Sequence, residues 1–159
     1  MDVAQLLAVL VHTLAFVIAW GYYGILGRIV LPALERSLEG PALGNTIVAI
    51  ERRARPLVAL SAVLFTVSGS YLLVASPRYL GLGNLFATSW TTLILAKHLV
   101  IVALVALAVM VDVLARRVGE TREDDARRRE LRRLSLTTEA TTALGALVVL
   151  LTAAAQAPA

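Results

Sequence analysis

The chain has 159 residues, 58% of them hydrophobic and 16% charged, with a formal net charge of +4. Its mean hydropathy is +0.79, and the apolar residues come in long blocks, which excludes a soluble domain and defines an integral membrane protein. Cysteine is absent, so disulfides, thiolate metal sites and redox thiols are excluded as well.

Four apolar blocks predict transmembrane helices at about 3–31, 57–74, 90–115 and 136–155. Each approaches the ~20 residues a helix needs to cross ~30 Å of hydrocarbon. A β-barrel is excluded, because the blocks lack ten-residue alternation. The expected architecture is an all-α, polytopic four-helix bundle forming one domain over 1–159. The first block has no basic leader and no clean cleavage site, and reads as a retained helix.

The first span carries His12, Phe16, Trp20 and Tyr23 on one helical face, and Gly21, Gly24 and Gly27 where another helix can approach. Pro32 is expected to end it, and Glu39-Gly40-Pro41 to interrupt the chain a turn or two later. Loop 36–55 is basic through Arg36, Arg52, Arg53 and Arg55. Pro56 suits the first turn of span two, where a missing N–H costs nothing. Pro77, Gly81 and Gly83 then punctuate a connection whose basic residue is Arg78, and Tyr79, Phe86 and Trp90 form an aromatic belt. Loop 116–134 is the most basic segment, and its Glu123, Asp124 and Asp125 stand at helical spacing from Arg127, Arg128 and Arg129. It reads as a solvated extension of span three held by i,i+4 pairs. Ser135 is the expected N-cap of span four, with Glu139 in its first turns.

Basic residues mark the cytoplasmic side of short loops. The expected topology is therefore N-out and C-out in the inner (plasma) membrane, with loops 36–55 and 116–134 cytoplasmic. The expected partners of the arginines are anionic membrane lipids, not nucleic acid. A redox partner, other membrane-complex subunits and a homo-oligomer stay open.

The stretch TTLILAKHLVIV places Lys97 and His98 inside an apolar run. His98 and His12 are the chain's two histidines. Each falls roughly 12 Å into its helix, and spans one and three run in the same direction. Two imidazoles at one depth form a metal site at low electrostatic cost, because imidazole ligates iron or copper without carrying charge. A bis-histidine haem b between spans one and three, walled by Phe16, Trp20 and Tyr23, is the expected cofactor, and electron transfer the expected function. Copper is the alternative cofactor. Hydrogen bonding between helices is the alternative role of the histidines. Lys97 projects about 100° from His98, toward headgroups or a haem propionate. Arg28 is a candidate ion-pair partner of Asp112 or Glu139 near the inner boundary. An inner pocket lined by Tyr22, Tyr23, Asp112 and Glu139 stays open.

The segment VHTLAFVIAWGYYGILGRIVLPAL resembles the first helix of the copper-resistance D (CopD-like) membrane domain. IERRARPLVALSAVLFTVSGSYLL is similar to its second helix, and SWTTLILAKHLVIVALVALAV to its third, with Lys97 interrupting the apolar run. The resemblance covers about residues 8–115 and implies a role in copper handling. A more distant likeness, to the HemJ-type protoporphyrinogen oxidase, rests on the spacing of His12, Trp20 and Arg28 and on Lys97. It implies haem b and an oxidoreductase activity. Ile50 departs from that pattern, which has Met before Glu-Arg-Arg, and Val111-Asp112 stands where it has Tyr-His. With Met1 and Met110 the chain's two methionines, no ladder of soft copper ligands can cross the membrane, which leaves a single outer site at His12 and His98.

Overall fold

The structure is a computed structural model that describes residues 2–79, 81, 84 and 86–156. Helix α1 (Val3–Ile25) runs through a π-helical turn (Leu26–Val30) into α2 (Leu31–Ser37), and these three make span one. Helices α3 (Gly40–Val74), α4 (Ser89–Glu120) and α5 (Asp124–Gln156) supply the other spans. All four are long and apolar enough to cross a membrane. The chain is a multi-pass, all-α membrane protein, as its apolar blocks predict.

Capping explains where the helices begin. The Asp2 carboxylate accepts from Gln5 N–H at 2.7 Å and starts α1. Thr88 and Thr91 form a reciprocal capping box at the start of α4, each satisfying an otherwise orphaned N–H of the other.

The helices extend past the apolar runs, and several boundary expectations are corrected. Span one does not stop at Pro32. A proline ring clashes with the carbonyl four residues back, here Arg28, and the π turn opens that stretch so the helix continues. Leu31 N–H donates to the Leu26 carbonyl across this wider turn. Pro56 sits inside α3, not in its first turn, because α3 begins at Gly40 and carries the arginine run as helix. The mixed-charge run prolongs span three only over residues 116–120. Helix α4 ends at Glu120, and Asp124 onward forms the first turns of α5, so Ser135 and Glu139 are interior residues of that helix and no cap is needed there. Arginine is a good helix former, and i,i+3 pairs such as Arg133–Glu130 at 2.9 Å sustain the extension. In the connection between α3 and α4, Gly81 takes φ 87°, a left-handed conformation that glycine adopts without strain, while Gly83 lies outside the described residues.

The four spans pack as a ring. Span one lies against α3 and α5, and α4 lies against α3 and α5, which puts spans one and three on a diagonal. The best-packed core is at the arginine-rich end, around Leu26, Leu31, Ile47, Val111, Val118 and Leu134, each at most 1% exposed. Gly44 and Gly119 bring α3 and α4 together there, since an added Cβ on Gly44 would lie 2.9 Å from the Val118 carbonyl oxygen. The opposite end is looser, and the histidines are there.

Candidate functional site

His12 sits half-buried on α1 and turns to α3. Its Nδ1–H donates to the Phe65 carbonyl at 3.0 Å and shares that proton with Ser68 Oγ at 3.2 Å. Ser68 sends its own proton to the Leu64 carbonyl at 2.6 Å, which leaves its oxygen as acceptor. The imidazole stacks on the Phe65 ring, with centroids 4.1 Å apart and planes 18° apart. Gly69 makes the room: a Cβ there would come within 2.8 Å of His12 Cε1.

On α4, His98 is exposed, and its Nδ1–H donates to the Ile94 carbonyl one turn back at 2.7 Å. A carbonyl only accepts, so both imidazoles carry the proton on Nδ1 and keep the Nε2 lone pair free. A metal-ligating histidine has this arrangement, its second nitrogen fixed by a backbone acceptor. Both side chains line one cavity of about 390 Å³ at the arginine-poor end. Its walls come from all four spans and include Phe65, Ser70, Trp90 and Gln156. The depth match between His12 and His98 thus brings them to a common space, across the diagonal of the ring.

Lys97 lines the same cavity and is half-buried, although its projection lies about 100° from that of His98. The cavity wraps around α4 far enough to take both. Among the described residues Lys97 forms no ion pair. Nor do the described residues contain a cluster of three or more His, Cys, Asp or Glu side chains able to hold a metal. Of the side chains lining this cavity, the two imidazoles are the nitrogen donors that could hold a metal, with hydroxyls such as those of Thr13 and Ser70 beside them.

The aromatic wall lies elsewhere. Phe16 tilts against Trp20 at 5.6 Å and against Phe65 at 5.7 Å, and Trp20 Nε1–H donates to the Thr142 carbonyl at 2.9 Å. With Tyr23, these rings border another, almost wholly apolar cavity of about 100 Å³. They share His12's helical face, but Phe16 meets Phe65 of α3 and Trp20 meets α5, and neither lines the histidine cavity. A porphyrin at His12 and His98 is left with Phe65 and Trp90 as its aromatic contacts.

Toward the arginine-rich end, Tyr22 O–H donates at 2.5 Å to Glu51, a carboxyl that is 6% exposed. Asp112 accepts from Arg55 and, at 2.7 Å, from Arg116. Arg28 and Glu139 are exposed and make no ion pair among the described residues, so the expected pairing of Arg28 with Asp112 or Glu139 does not form. The π turn that carries Arg28 rotates Leu26 and Gly27 into the core and leaves the guanidinium outside. Glu51 was the residue the sequence concealed. Its signal is a lone acid before Arg52, Arg53 and Arg55, in a segment that reads as a solvated basic loop.

A family model, Copper resistance protein D, matches residues 48–155, more than half of the chain. The chain belongs to the copper resistance protein D family of multi-pass membrane proteins. The match takes in His98 and Lys97 and leaves His12 outside. No curated protein and no solved structure gives a significant match.

Proposed function

We propose that the chain handles copper at the arginine-poor end of the bundle, with His12 and His98 as the nitrogen ligands that receive the ion. One observation carries the reading: both imidazoles give their Nδ1 protons to main-chain carbonyls, and both line one cavity. Fixing Nδ1 sets the tautomer and leaves each Nε2 with an electron pair for a metal. Imidazole is a good copper ligand and stays neutral on binding, which suits a site within the depth of a membrane. The Lys97 ammonium in the same cavity repels any cation, copper included, so the two imidazoles have to outweigh it. By the positive-inside rule the arginine-rich end faces the cytoplasm, and copper reaches the cavity from outside.

Haem b with electron transfer, or a porphyrinogen oxidase, would use the same two imidazoles. The cavity offers a porphyrin less than that reading asks, because Phe16, Trp20 and Tyr23 border a different cavity. Absorption spectra and copper titration of the detergent-purified protein separate the two. The copper reading expects a colourless preparation that takes up copper and loses that uptake in His12→Ala and in His98→Ala. A Soret band from haem-replete cells, without copper uptake, overturns it in favour of haem.

A further inference from the structure

The arginine-rich end contains a second cavity, of about 530 Å³, where α2 and the start of α3 meet the first turns of α5. Its floor is apolar, with Leu43 and Leu131 each 6% exposed, Arg127 is buried in its wall, and its rim carries Arg128, Arg132 and Ser135. Three features there favour a negative charge. Arg127 is 4% exposed, and its Nε is buried without a partner among the described residues. Its terminal nitrogens are committed to Asp124 and, at 2.6 Å, to the Thr121 carbonyl. Helix α3 begins at this cavity with no side-chain cap on Glu39, so the positive end of a 35-residue helix is open there. Arg128 and Arg132 are exposed on the rim and form no ion pair in the described chain. The rim also holds carboxylates: Asp124, which is taken by Arg127, and Glu35 and Glu39, which are exposed and free to turn toward water.

The cavity also has a defined depth. It spans the point where the arginine run of α5 gives way to its apolar run, and Leu136, 56% exposed, forms its outer edge. That transition is where the headgroups of a bilayer crossed by α5 would lie, with apolar surface directly beneath.

We propose that this cavity binds the phosphate of an anionic phospholipid from the leaflet on the arginine-rich side. Arg128, Arg132 and the start of α3 face the phosphate, and the Leu131–Leu136 surface lies along the first acyl carbons. The shared chemistry is a phosphate group, and the commitment is to a lipid rather than to free phosphate. The site is independent of the histidine cavity.

Lipid binding to the purified full chain in neutral detergent tests this, read as the rise in melting temperature on titration with phosphatidylglycerol. A saturable rise is expected, and inorganic phosphate at matched concentration gives none. Arg128→Gln with Arg132→Gln weakens the apparent affinity about tenfold or more, at ~1 kcal/mol per basic residue. Ser135→Asp, which leaves every arginine in place, produces a similar loss by charge repulsion. Arg52→Gln with Arg53→Gln removes two exposed charges from the same end but outside the cavity, and leaves the affinity within about twofold. The proposal is overturned if the two arginine pairs lose affinity equally, if the Arg128 and Arg132 pair loses none, or if inorganic phosphate reproduces the shift.

Discussion

His12 and Phe65 are joined twice: the imidazole Nδ1–H donates to the Phe65 carbonyl at 3.0 Å, and the two rings stack at 4.1 Å. The double contact fixes both the tautomer and the plane of the imidazole, and it exists because Gly69 has no side chain. A methyl group there would lie 2.8 Å from Cε1 and 3.2 Å from Nδ1. Gly69→Ala is therefore expected to tilt the ring and break the Phe65 bond while α3 remains intact. Disturbing a partner that orients a ligand typically costs ~10–100-fold in metal affinity. Copper titration of Gly69→Ala should show a loss in that range, with helical content unchanged by circular dichroism. Unchanged affinity would separate His12's orientation from metal binding.

Not every glycine of span one has the same task, although Gly21, Gly24 and Gly27 read alike as a small-residue face. An added Cβ on Gly27 would be 2.9 Å from Thr138 Cβ, one on Gly24 would be in ordinary contact at 3.8 Å, and one on Gly21 would meet nothing within 4 Å. Gly27→Ala should destabilise the bundle by about 1–3 kcal/mol through overpacking. Gly21→Ala should be neutral or stabilising by up to about 1 kcal/mol, since alanine loses less conformational freedom on forming helix. Melting of the two variants in one detergent compares them directly, and a lower melting temperature for Gly21→Ala than for Gly27→Ala would contradict the packing account.

The spans were legible because ~20 apolar residues in a row have few other homes, and the depth match of His12 and His98 because helical rise is constant. The helix ends were less legible. Pro32 and Pro56 read as boundaries, yet both lie within continuous helix, one beside a π turn and the other in a long arginine-bearing helix. Hydropathy registers the transition from lipid to water and does not register whether the helix stops there. Helical projection put Phe16, Trp20 and Tyr23 on the His12 face, but it could not say that Trp20 on that face bonds to α5 and that the three rings line a different cavity. Partner choice is a property of the ring of helices. The Tyr22–Glu51 bond, between residues 29 apart in sequence, was hidden for the same reason.

That bond is expected to matter for stability. Glu51 is 6% exposed, and Arg55, one turn away on α3, is bonded to Asp112 instead. Tyr22→Phe removes the donor and leaves a buried carboxyl without it, at a cost of about 1–3 kcal/mol. Glu51→Gln keeps an oxygen to accept from Tyr22, so its cost should be smaller. A double-mutant cycle on chemical or thermal unfolding would measure the coupling, expected at about 1 kcal/mol, and additive single losses would show the contact to be incidental.

The Asp112 cluster should behave differently from the Tyr22–Glu51 pair. Its arginines, Arg55 and Arg116, have side chains 48% and 53% exposed, so solvent screens the attraction. Asp112→Asn is expected to cost no more than about 1 kcal/mol, with the difference shrinking as salt is added. Arg28→Gln should cost nothing measurable, because its guanidinium is exposed and forms no ion pair among the described residues. A salt-independent loss in Asp112→Asn would mean that the carboxylate serves the core rather than a screened surface pair.

Orientation is set by where the arginines lie and can be tested apart from any ligand. Arg52, Arg53 and Arg55 on α3 share one end of the bundle with Arg127, Arg128 and Arg132 on α5, while the connection between α3 and α4 carries Arg78. If the basic end is retained in the cytoplasm, as the positive-inside rule expects, that connection lies outside. The chain has no cysteine, so single replacements report without background. Asn84→Cys in intact cells should react with a membrane-impermeant maleimide, whereas Arg129→Cys should react only after the membrane is opened. The reverse pattern would invert the bundle and put the histidine cavity on the cytoplasmic side. Copper would then meet His12 and His98 from within, and the chain would act on metal already inside the cell.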